Sequence, residues 1–239
     1  MELAEHHRQR SFFDRVARRY DHSMIGGRIN RCHRNKIERI HQWLQVAAGD
    51  RVLEVGAGTG IHASWLLELC PVRYTGVDLS EEMLHVAKER LPAEVILKAA
   101  AAESLPFEDA VFDAVFCSGA LHHFAEKPTA VQEMGRVVRP GGRVVLCEPN
   151  PGNPLNLYKS LVESVEHGVR DISPRNFRMW SRLAGLDETH HEFFNFTPPA
   201  PIALTRIFNR LDQIGTRLPG IRRIGSMLLF VMEKKEPRR

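Results

Sequence analysis

Two adjacent histidines, His122 and His123, are the residues of this chain best suited to moving a proton. Imidazole titrates near neutral pH, so it can serve as a general base towards a reacting group. The pair lies in residues 118–124, directly after residues 112–117, whose apolar pattern predicts a buried strand. Because adjacent side chains point in different directions, we expect only one imidazole to face a substrate, while the other packs or holds the loop by hydrogen bonds.

A glycine-rich turn could bring the backbone close to a ligand. Gly56, Gly58 and Gly60 follow an apolar strand pattern at residues 52–55, and an apolar helix pattern starts at Ile61. Glycine has no Cβ, so a strand, turn and helix of this kind allow a nucleotide to approach. The spacing differs from the dinucleotide fingerprint G-x-G-x-x-G. A plain tight turn is the alternative interpretation.

An acid at the end of the next predicted strand supports the nucleotide interpretation. Asp78 ends the pattern of residues 74–78, and a carboxylate at this place can accept both ribose hydroxyls of an adenosine. Ser80 is a good N-cap for the helix that follows, and Glu81 in its first turn suits the helix dipole. The two units together predict a site for a nucleoside-containing ligand.

Four segments occur in order between residues 50 and 150: E-V-G-A-G-T-G, G-V-D-L-S-E-E-M-L, A-E-S-L-P-F and V-V-R-P-G-G-R-V-V-L. In order and spacing they resemble the motifs of the class I S-adenosylmethionine-dependent methyltransferases. The closest subgroup contains the ubiquinone/menaquinone-biosynthesis enzymes and many small-molecule methyltransferases. The resemblance implies S-adenosylmethionine as cofactor, S-adenosylhomocysteine as product and a small-molecule methyl acceptor. The implied cofactor-binding residues are Tyr20, Glu54, Gly56, Ala57, Gly58, Gly60, Asp78, Leu79, Met83, Ala101, Ala102, Glu103, Ser118 and Gly119.

The N-terminal segment is similar to the F-D-x-V-A-x-x-Y-D opening of the quinone-type methyltransferases, where it covers the cofactor pocket and carries a tyrosine near the cofactor. Tyr20 holds that position here. The helical spacing of Phe13, Val16 and Tyr20 would equally suit a helix that docks on the core, and the two interpretations are compatible.

One position departs from the family pattern. Ala101 stands where relatives usually have an aspartate that accepts from the adenine amino group. The backbone around Ala102 and the side chain of Glu103 are alternatives for that contact. The sequence does not show which of these groups makes the contact, or whether the contact with adenine is weaker than in the relatives.

The family's L-H-H-F pattern carries the second histidine more regularly, so the resemblance implies a structural role for His123. We therefore expect His122 to be the one that meets substrate. A base is needed only if the acceptor loses a proton during transfer. We expect no metal site, since the sequence shows no third ligand at a suitable spacing.

The resemblance implies a single α/β domain with a doubly wound, Rossmann-like, seven-stranded sheet in which strand seven runs antiparallel between strands five and six. We expect strand six near residues 192–196 and strand seven at residues 227–232. Residues 1–47 would form a helical lid and residues 48–150 the cofactor-binding half. Residues 151–239 would form the substrate-side half, with a helical insertion at 152–185.

The composition, 43% hydrophobic and 26% charged, is typical of a soluble globular protein. No signal-peptide pattern opens the chain, no apolar run approaches the ~20 residues that span a bilayer, and the four cysteines form no C-x-x-C pair. We therefore expect a reduced, cytoplasmic setting. Both ends of the chain are basic, which solvated helix faces explain most simply.

Three partners or functions stay open at this stage. The apolar stripe of residues 204–214, with Arg206 and Arg210 off the stripe, could lie on an anionic bilayer as a peripheral contact, although the helix expected between strands six and seven explains it better. The basic ends alone favour a tRNA or rRNA methyltransferase, and we do not expect a nucleic-acid partner. A module that binds S-adenosylmethionine without catalysis is the third alternative. Neither the acceptor atom nor the oligomeric state follows from the sequence.

Overall fold

A computed structural model describes residues 2–25, 30–195 and 221–236. Seven strands form one sheet in the order β3-β2-β1-β4-β5-β7-β6. The strands are β1 Arg51–Val55, β2 Arg73–Asp78, β3 Ile96–Ala99, β4 Phe112–Ser118, β5 Val138–Pro149, β6 Leu186–Phe194 and β7 Met227–Lys234. Strands β1 to β5 are parallel, and β7 runs antiparallel to both β5 and β6. The predicted fold class and the place of strand seven are confirmed.

Helices cover both faces of this sheet. They are α1 Glu2–Ile25, α2 Asn30–Leu44, α3 Ile61–Leu69, α4 Glu81–Arg90, α5 Lys127–Val137, α6 Pro154–Val162 and α7 Pro174–Leu183, with 3₁₀ segments at Leu121–His123, Ser164–Asp171 and Ile221–Ile224. Successive strand residues face opposite sides, so Val52 packs with α2, α3 and α4, while Leu53 packs with α5 and α7. Burial on both faces explains why the central strands read as continuous apolar runs.

The order of the strands places a ligand site. The chain moves outwards from β1 to β2 and β3 and then returns to the other side of β1 at β4. In open parallel sheets, ligands bind at the carboxyl ends of the strands where the order reverses. The glycine turn follows β1, Asp78 ends β2, and the histidine loop follows β4. All three predicted features therefore meet at this edge.

Some predicted boundaries were wrong or cannot be compared. Strand six begins at Leu186 and not near residue 192, because Gly185, with φ 68°, ends α7 and leads straight into the strand. Residues 152–185 are helical as predicted, with α6, a 3₁₀ segment and α7. The predicted helix that carries the apolar stripe of residues 204–214 lies outside the described residues. The division of the domain into halves stays a prediction.

Candidate functional site

A cavity at the carboxyl edge of β1, β2 and β4 holds about 900 Å³ of empty space, part of it open to solvent. The turn after β1, the end of β2, the loops after β3 and β4, and α1 all contribute to its walls. The predicted site residues in this lining are Tyr20, Gly56, Ala57, Gly58, Asp78, Leu79, Met83, Ala101, Ala102, Glu103, Ser118, Gly119 and His123. Three other predicted site residues, Glu54, Gly60 and His122, lie outside it.

The three glycines of the turn have different surroundings and therefore different structural roles. All have positive φ, at 80°, 53° and 71° for Gly56, Gly58 and Gly60. A Cβ on Gly56 would collide with Ala120, so this glycine lets the loop after β4 approach the turn. A Cβ on Gly58 would meet no atom of the described residues within 4 Å, because it would enter the cavity. A Cβ on Gly60 would lie 2.8 Å from Leu91 Cδ1 and 3.0 Å from Ala87 Cβ, so Gly60 allows close packing at the end of α4, and its predicted cofactor contact stays a prediction.

Asp78 is fixed beside this turn. Its carboxylate accepts hydrogen bonds from the backbone amides of Gly58, at 2.8 Å, and Ser80, at 2.9 Å. Desolvation raises the pKa of Asp78 to about 6, although the amide hydrogen bonds act in the opposite direction. A carboxylate has about four lone-pair sites, so two amides leave room for further donors from a ligand.

Glu54 faces the interior and not the cavity. It is fully buried, accepts a hydrogen bond from the Tyr74 hydroxyl, and lies 3.3 Å from His62 Nδ1. Burial raises the pKa of Glu54 to about 8. His62 does line the cavity. Glu54 itself is not part of the lining, and its predicted contact with the cofactor stays a prediction.

Helix α1 forms the outer wall, as the resemblance implied. Phe13 and Tyr20 line the cavity from this helix. Asp14 accepts a hydrogen bond of 2.5 Å from Ser80 Oγ, and Asp21 accepts one of 2.7 Å from Thr59 Oγ1. Desolvation, and then nearby carboxylates, raise the pKa of Tyr20 above its ordinary value, so its hydroxyl stays neutral.

Some lining residues were missed by sequence reasoning. They are His6, Gln9, Arg10, Phe13, Thr59 and His62. The stripe that contains Phe13 and Tyr20 was recognised, and extending it back by helical turns would have found Gln9 and His6. His62 carries no such signal, because it lies on α3 and reaches the cavity past the glycine turn.

The loop after β3 presents Glu103 where the family's aspartate is missing. Its carboxylate accepts a hydrogen bond of 3.1 Å from the backbone amide of Glu126 and lies 3.3 Å from His6 Nε2. Glu103 lines the cavity together with Ala101 and Ala102. An acid is therefore available on this wall, two residues beyond the family position.

His122 is held between two carboxylates. Its Nδ1 lies 2.6 Å from Glu148 Oε2, and its Nε2 lies 3.4 Å from Glu166 Oε2. Glu148 is fully buried and also accepts from the backbone amides of Ala120 and Leu121. Although desolvation lowers it, the hydrogen bonds to Glu148 and Glu166 raise the pKa of His122 to about 9. His122 is therefore an imidazolium at neutral pH that pins the loop.

His123 faces the cavity, which reverses the expected order of the pair. Its Nδ1 lies 3.1 Å from the carbonyl oxygen of Val165, which only accepts, so Nδ1 carries the hydrogen and Nε2 the lone pair. The ring centroid is 5.0 Å from that of Phe13. Desolvation and the charge of His122 hold the pKa of His123 well below its ordinary value. Glu148 holds the ring of His122 away from this cavity, and the role expected for His122 stays a prediction.

Glu166 supplies a third polar group that the sequence did not reveal. Nitrogen atoms of His122 and His123 and an oxygen of Glu166 all lie within 4.8 Å of one another, a spacing that would suit a metal ion. Both nitrogens of His122 already pair with carboxylates, however, and the cation Lys127 lines a second cavity together with the two histidines. The expectation of no metal site stays a prediction.

Comparison with known proteins gives a match over the first five strands. Residues 53–146 match a family described as a methyltransferase domain. The chain is 30% identical over 217 residues to a ubiquinone/menaquinone biosynthesis C-methyltransferase of Dinoroseobacter shibae, covering 77% of this chain and 84% of that protein. It is 31% identical over 174 residues to the 27-O-demethylrifamycin SV methyltransferase of Amycolatopsis mediterranei, covering 68% of this chain and 64% of that one. It spans only 42% of methyltransferase GfsG of Streptomyces halstedii, at 34% identity.

Solved structures share the fold at lower identity. A Haloferax volcanii chain, solved in complex with the Trm112 methyltransferase activator, has a TM-score of 0.70 at 22% identity and covers 94% of this chain and 98% of its own. Phosphoethanolamine N-methyltransferase 2 of Haemonchus contortus, solved with S-adenosyl-L-methionine, has a TM-score of 0.65 at 18% identity, covering 92% and 60%. The solved structures show the fold alone, whereas the sequence relatives also show the family. The chain belongs to the class I S-adenosylmethionine-dependent methyltransferases.

Proposed function

We propose that the protein transfers the methyl group of S-adenosylmethionine to a small-molecule acceptor that carries a hydroxyl group. The observation that carries the proposal is the cavity, which joins a nucleoside-type wall to a wall with one neutral imidazole. A sulfonium methyl is already activated. The protein must therefore hold the methyl and its acceptor close, aligned and away from water.

The cofactor would lie along the wall formed by the glycine turn and Asp78. Asp78 would accept from the ribose hydroxyls, while the open space at Gly58 leaves room for the nucleoside. The loop with Ala101, Ala102 and Glu103 would border the adenine. Ser118 and Gly119, which end β4 and begin its loop, would border the methionine part.

The acceptor would meet the cofactor beside His123. Phe13 and Phe124 give this part of the cavity an apolar wall, which helps to exclude water. The lone pair on Nε2 of His123 could take the proton of an acceptor hydroxyl, because the bond to Val165 fixes the tautomer. The Amycolatopsis and Dinoroseobacter relatives are named for methylation of small molecules, which supports this class of acceptor over a nucleic acid.

The reaction class can be tested with cofactor labelled in its methyl group. We expect label to enter low-molecular-weight alcohols or phenols when the protein is incubated with a fractionated cell extract. Label in the RNA fraction, or no transfer at all to any fraction, would contradict the proposal.

Gly58→Val should abolish binding of S-adenosylmethionine, because the new side chain would occupy the cavity. Gly49→Val is the matched control: Gly49 also has positive φ, at 88°, and also meets no described atom within 4 Å, but it lies in the turn before β1. Both variants carry backbone strain, and only Gly58→Val should lose affinity in calorimetry. Unchanged affinity in a folded Gly58→Val protein would refute the cofactor wall.

Asp78→Asn should lower the affinity for S-adenosylmethionine by at least about tenfold, since charge-assisted hydrogen bonds are worth ~1.5–3 kcal/mol each. The pKa of Asp78 is about 6, so wild-type affinity should fall as the pH is lowered through that value. The variant should show no such fall. Asp113→Asn, at the amino end of β4, is the control. Calorimetry across pH that gives the same profile for wild type and Asp78→Asn would exclude the role.

Replacing His123 should mainly affect the rate of methyl transfer, whereas replacing His122 should mainly affect stability. With a hydroxyl acceptor, His123→Ala should lower the single-turnover rate by ~10²–10⁴-fold at unchanged cofactor affinity. His122→Ala should cost about 3–5 kcal/mol of stability, because it leaves buried Glu148 unpaired. The pKa of His122 rises from 6.5 to about 9, so its contribution is full below pH 6.5 and lost as the pH rises through 9. If the His123→Ala enzyme turned over like wild type, His123 would not be the general base.

A further inference from the structure

Glu166 lies beside the two histidines but comes from a different part of the chain. It belongs to the 3₁₀ segment Ser164–Asp171, whereas the histidines follow β4. Its Oε2 lies 3.4 Å from His122 Nε2, and one of its oxygens lies within 4.8 Å of a nitrogen of His123. The preceding residue, Val165, accepts from His123 Nδ1. Two adjacent residues of this segment therefore face the two adjacent histidines.

The two imidazole rings lie close together. Their centroids are 3.8 Å apart, and the ring of His122 is positively charged at neutral pH because Glu148 and Glu166 flank it. A proton taken up by His123 would place a second imidazolium beside the first. His122 is buried and His123 is partly buried, so water and salt would screen the repulsion only weakly. His123 therefore needs a nearby anion if it is to take a proton.

The other charged groups around His123 do not meet this need. Lys127 of α5 and Arg8 of α1 line the second cavity together with His123, and both are cations. Asp171 pairs with Lys127 at 3.3 Å. Glu148 of β5 already accepts from the neighbouring imidazole and from two backbone amides.

Glu166 is the anion that remains. Its side chain is only 18% exposed. Although desolvation raises it, the hydrogen bond and the charge of His122 lower the pKa of Glu166, and Lys159 of α6 acts in the same direction, so the carboxylate is ionised. Glu166 is not among the residues that line either cavity, and it can therefore act on a bound acceptor only through the histidines.

We propose that Glu166 is a positioning residue for methyl transfer to a hydroxyl, since its carboxylate offsets the charge that His123 gains with the acceptor's proton. This inference rests on the proposed function. In that step the acceptor's O–H bond breaks and its proton goes to Nε2 of His123. An electron pair of the oxygen forms the bond to the methyl carbon, and the pair of the broken C–S bond stays on sulfur, which leaves S-adenosylhomocysteine.

The charge can be removed at nearly constant shape. Glu166→Gln keeps an oxygen that can accept from His122 Nε2. With catechol as acceptor, its single-turnover rate should fall about tenfold at unchanged cofactor affinity, because an opposite charge within ~4–6 Å is worth ~1–3 pKa units. With 4-nitrocatechol, which is ionised near neutral pH and needs no base, the rate should change by less than about twofold. A purely structural role would slow both acceptors alike.

Two further variants separate charge from shape. Glu163→Gln is the matched control, because Glu163 is the exposed residue that precedes the same segment, and both rates should stay as in the wild type. Glu166→Asp keeps the negative charge, so with catechol it should lose less activity than Glu166→Gln.

A second measurement needs neither cofactor nor acceptor. Nuclear magnetic resonance of protein labelled in its histidine rings reports the pKa and the tautomer of each ring. Glu166→Gln should lower the pKa of His122, which is about 9 in the wild type, by at least about one unit, and Glu163→Gln should not. His123 should keep its hydrogen on Nδ1 in both variants, which shows that the Val165 carbonyl is still in place.

Equal rates of Glu166→Gln and wild type with catechol would overturn the inference and leave methyl transfer intact. So would an equal loss with both catechols, an equal loss in Glu166→Asp, or an unchanged pKa of His122. If the wild type transferred no methyl group to either catechol, the proposed hydroxyl chemistry would be contradicted, and this inference with it.

Discussion

The buried carboxylate of Glu148 is the constraint on which the loop after β4, at the candidate site, depends. A charge without water must be met by donors, or it costs several kcal/mol. Glu148, at the end of β5, receives the amides of Ala120 and Leu121 and the ring of His122. These bonds fold the loop after β4 back over the strand ends. They also turn the second imidazole towards the cavity, so one interior acid decides which histidine can meet a ligand.

On the opposite wall, two buried acids, Asp78 and Glu54, have different surroundings. Asp78 is desolvated too, but it takes backbone amides from both sides and keeps part of its surface towards the cavity. Glu54, two residues before the first glycine of the turn, is enclosed with Tyr74 and His62, and burial raises its pKa to about 8. The pKa values of two acids close to one glycine turn thus differ, because two backbone amides donate to Asp78 while Glu54 accepts from a side-chain hydroxyl.

Much of this architecture was readable from local sequence. The turn at Gly56–Gly60 and the acid at Asp78 follow from patterns that span a few residues each, whereas the antiparallel direction of strand seven was implied by the family resemblance. The order of the histidines did not follow, since it depends on Glu148 and Glu166, which lie far along the chain from them. The interior position of Glu54 did not follow either, since its partner Tyr74 comes from the neighbouring strand. Strand six began early because Gly185 allows a sharper exit from α7 than the apolar pattern suggests.

The links between α1 and the core have a kinetic consequence. Asp14 and Asp21 of α1 bond to Ser80, Thr59 and Arg90, which belong to the turn and helix at the cofactor wall. If the cofactor binds as proposed, S-adenosylhomocysteine would be enclosed behind α1 and would leave only when these bonds open. We expect release of S-adenosylhomocysteine to be slow compared with methyl transfer, so that the steady-state rate reports the detachment of one helix.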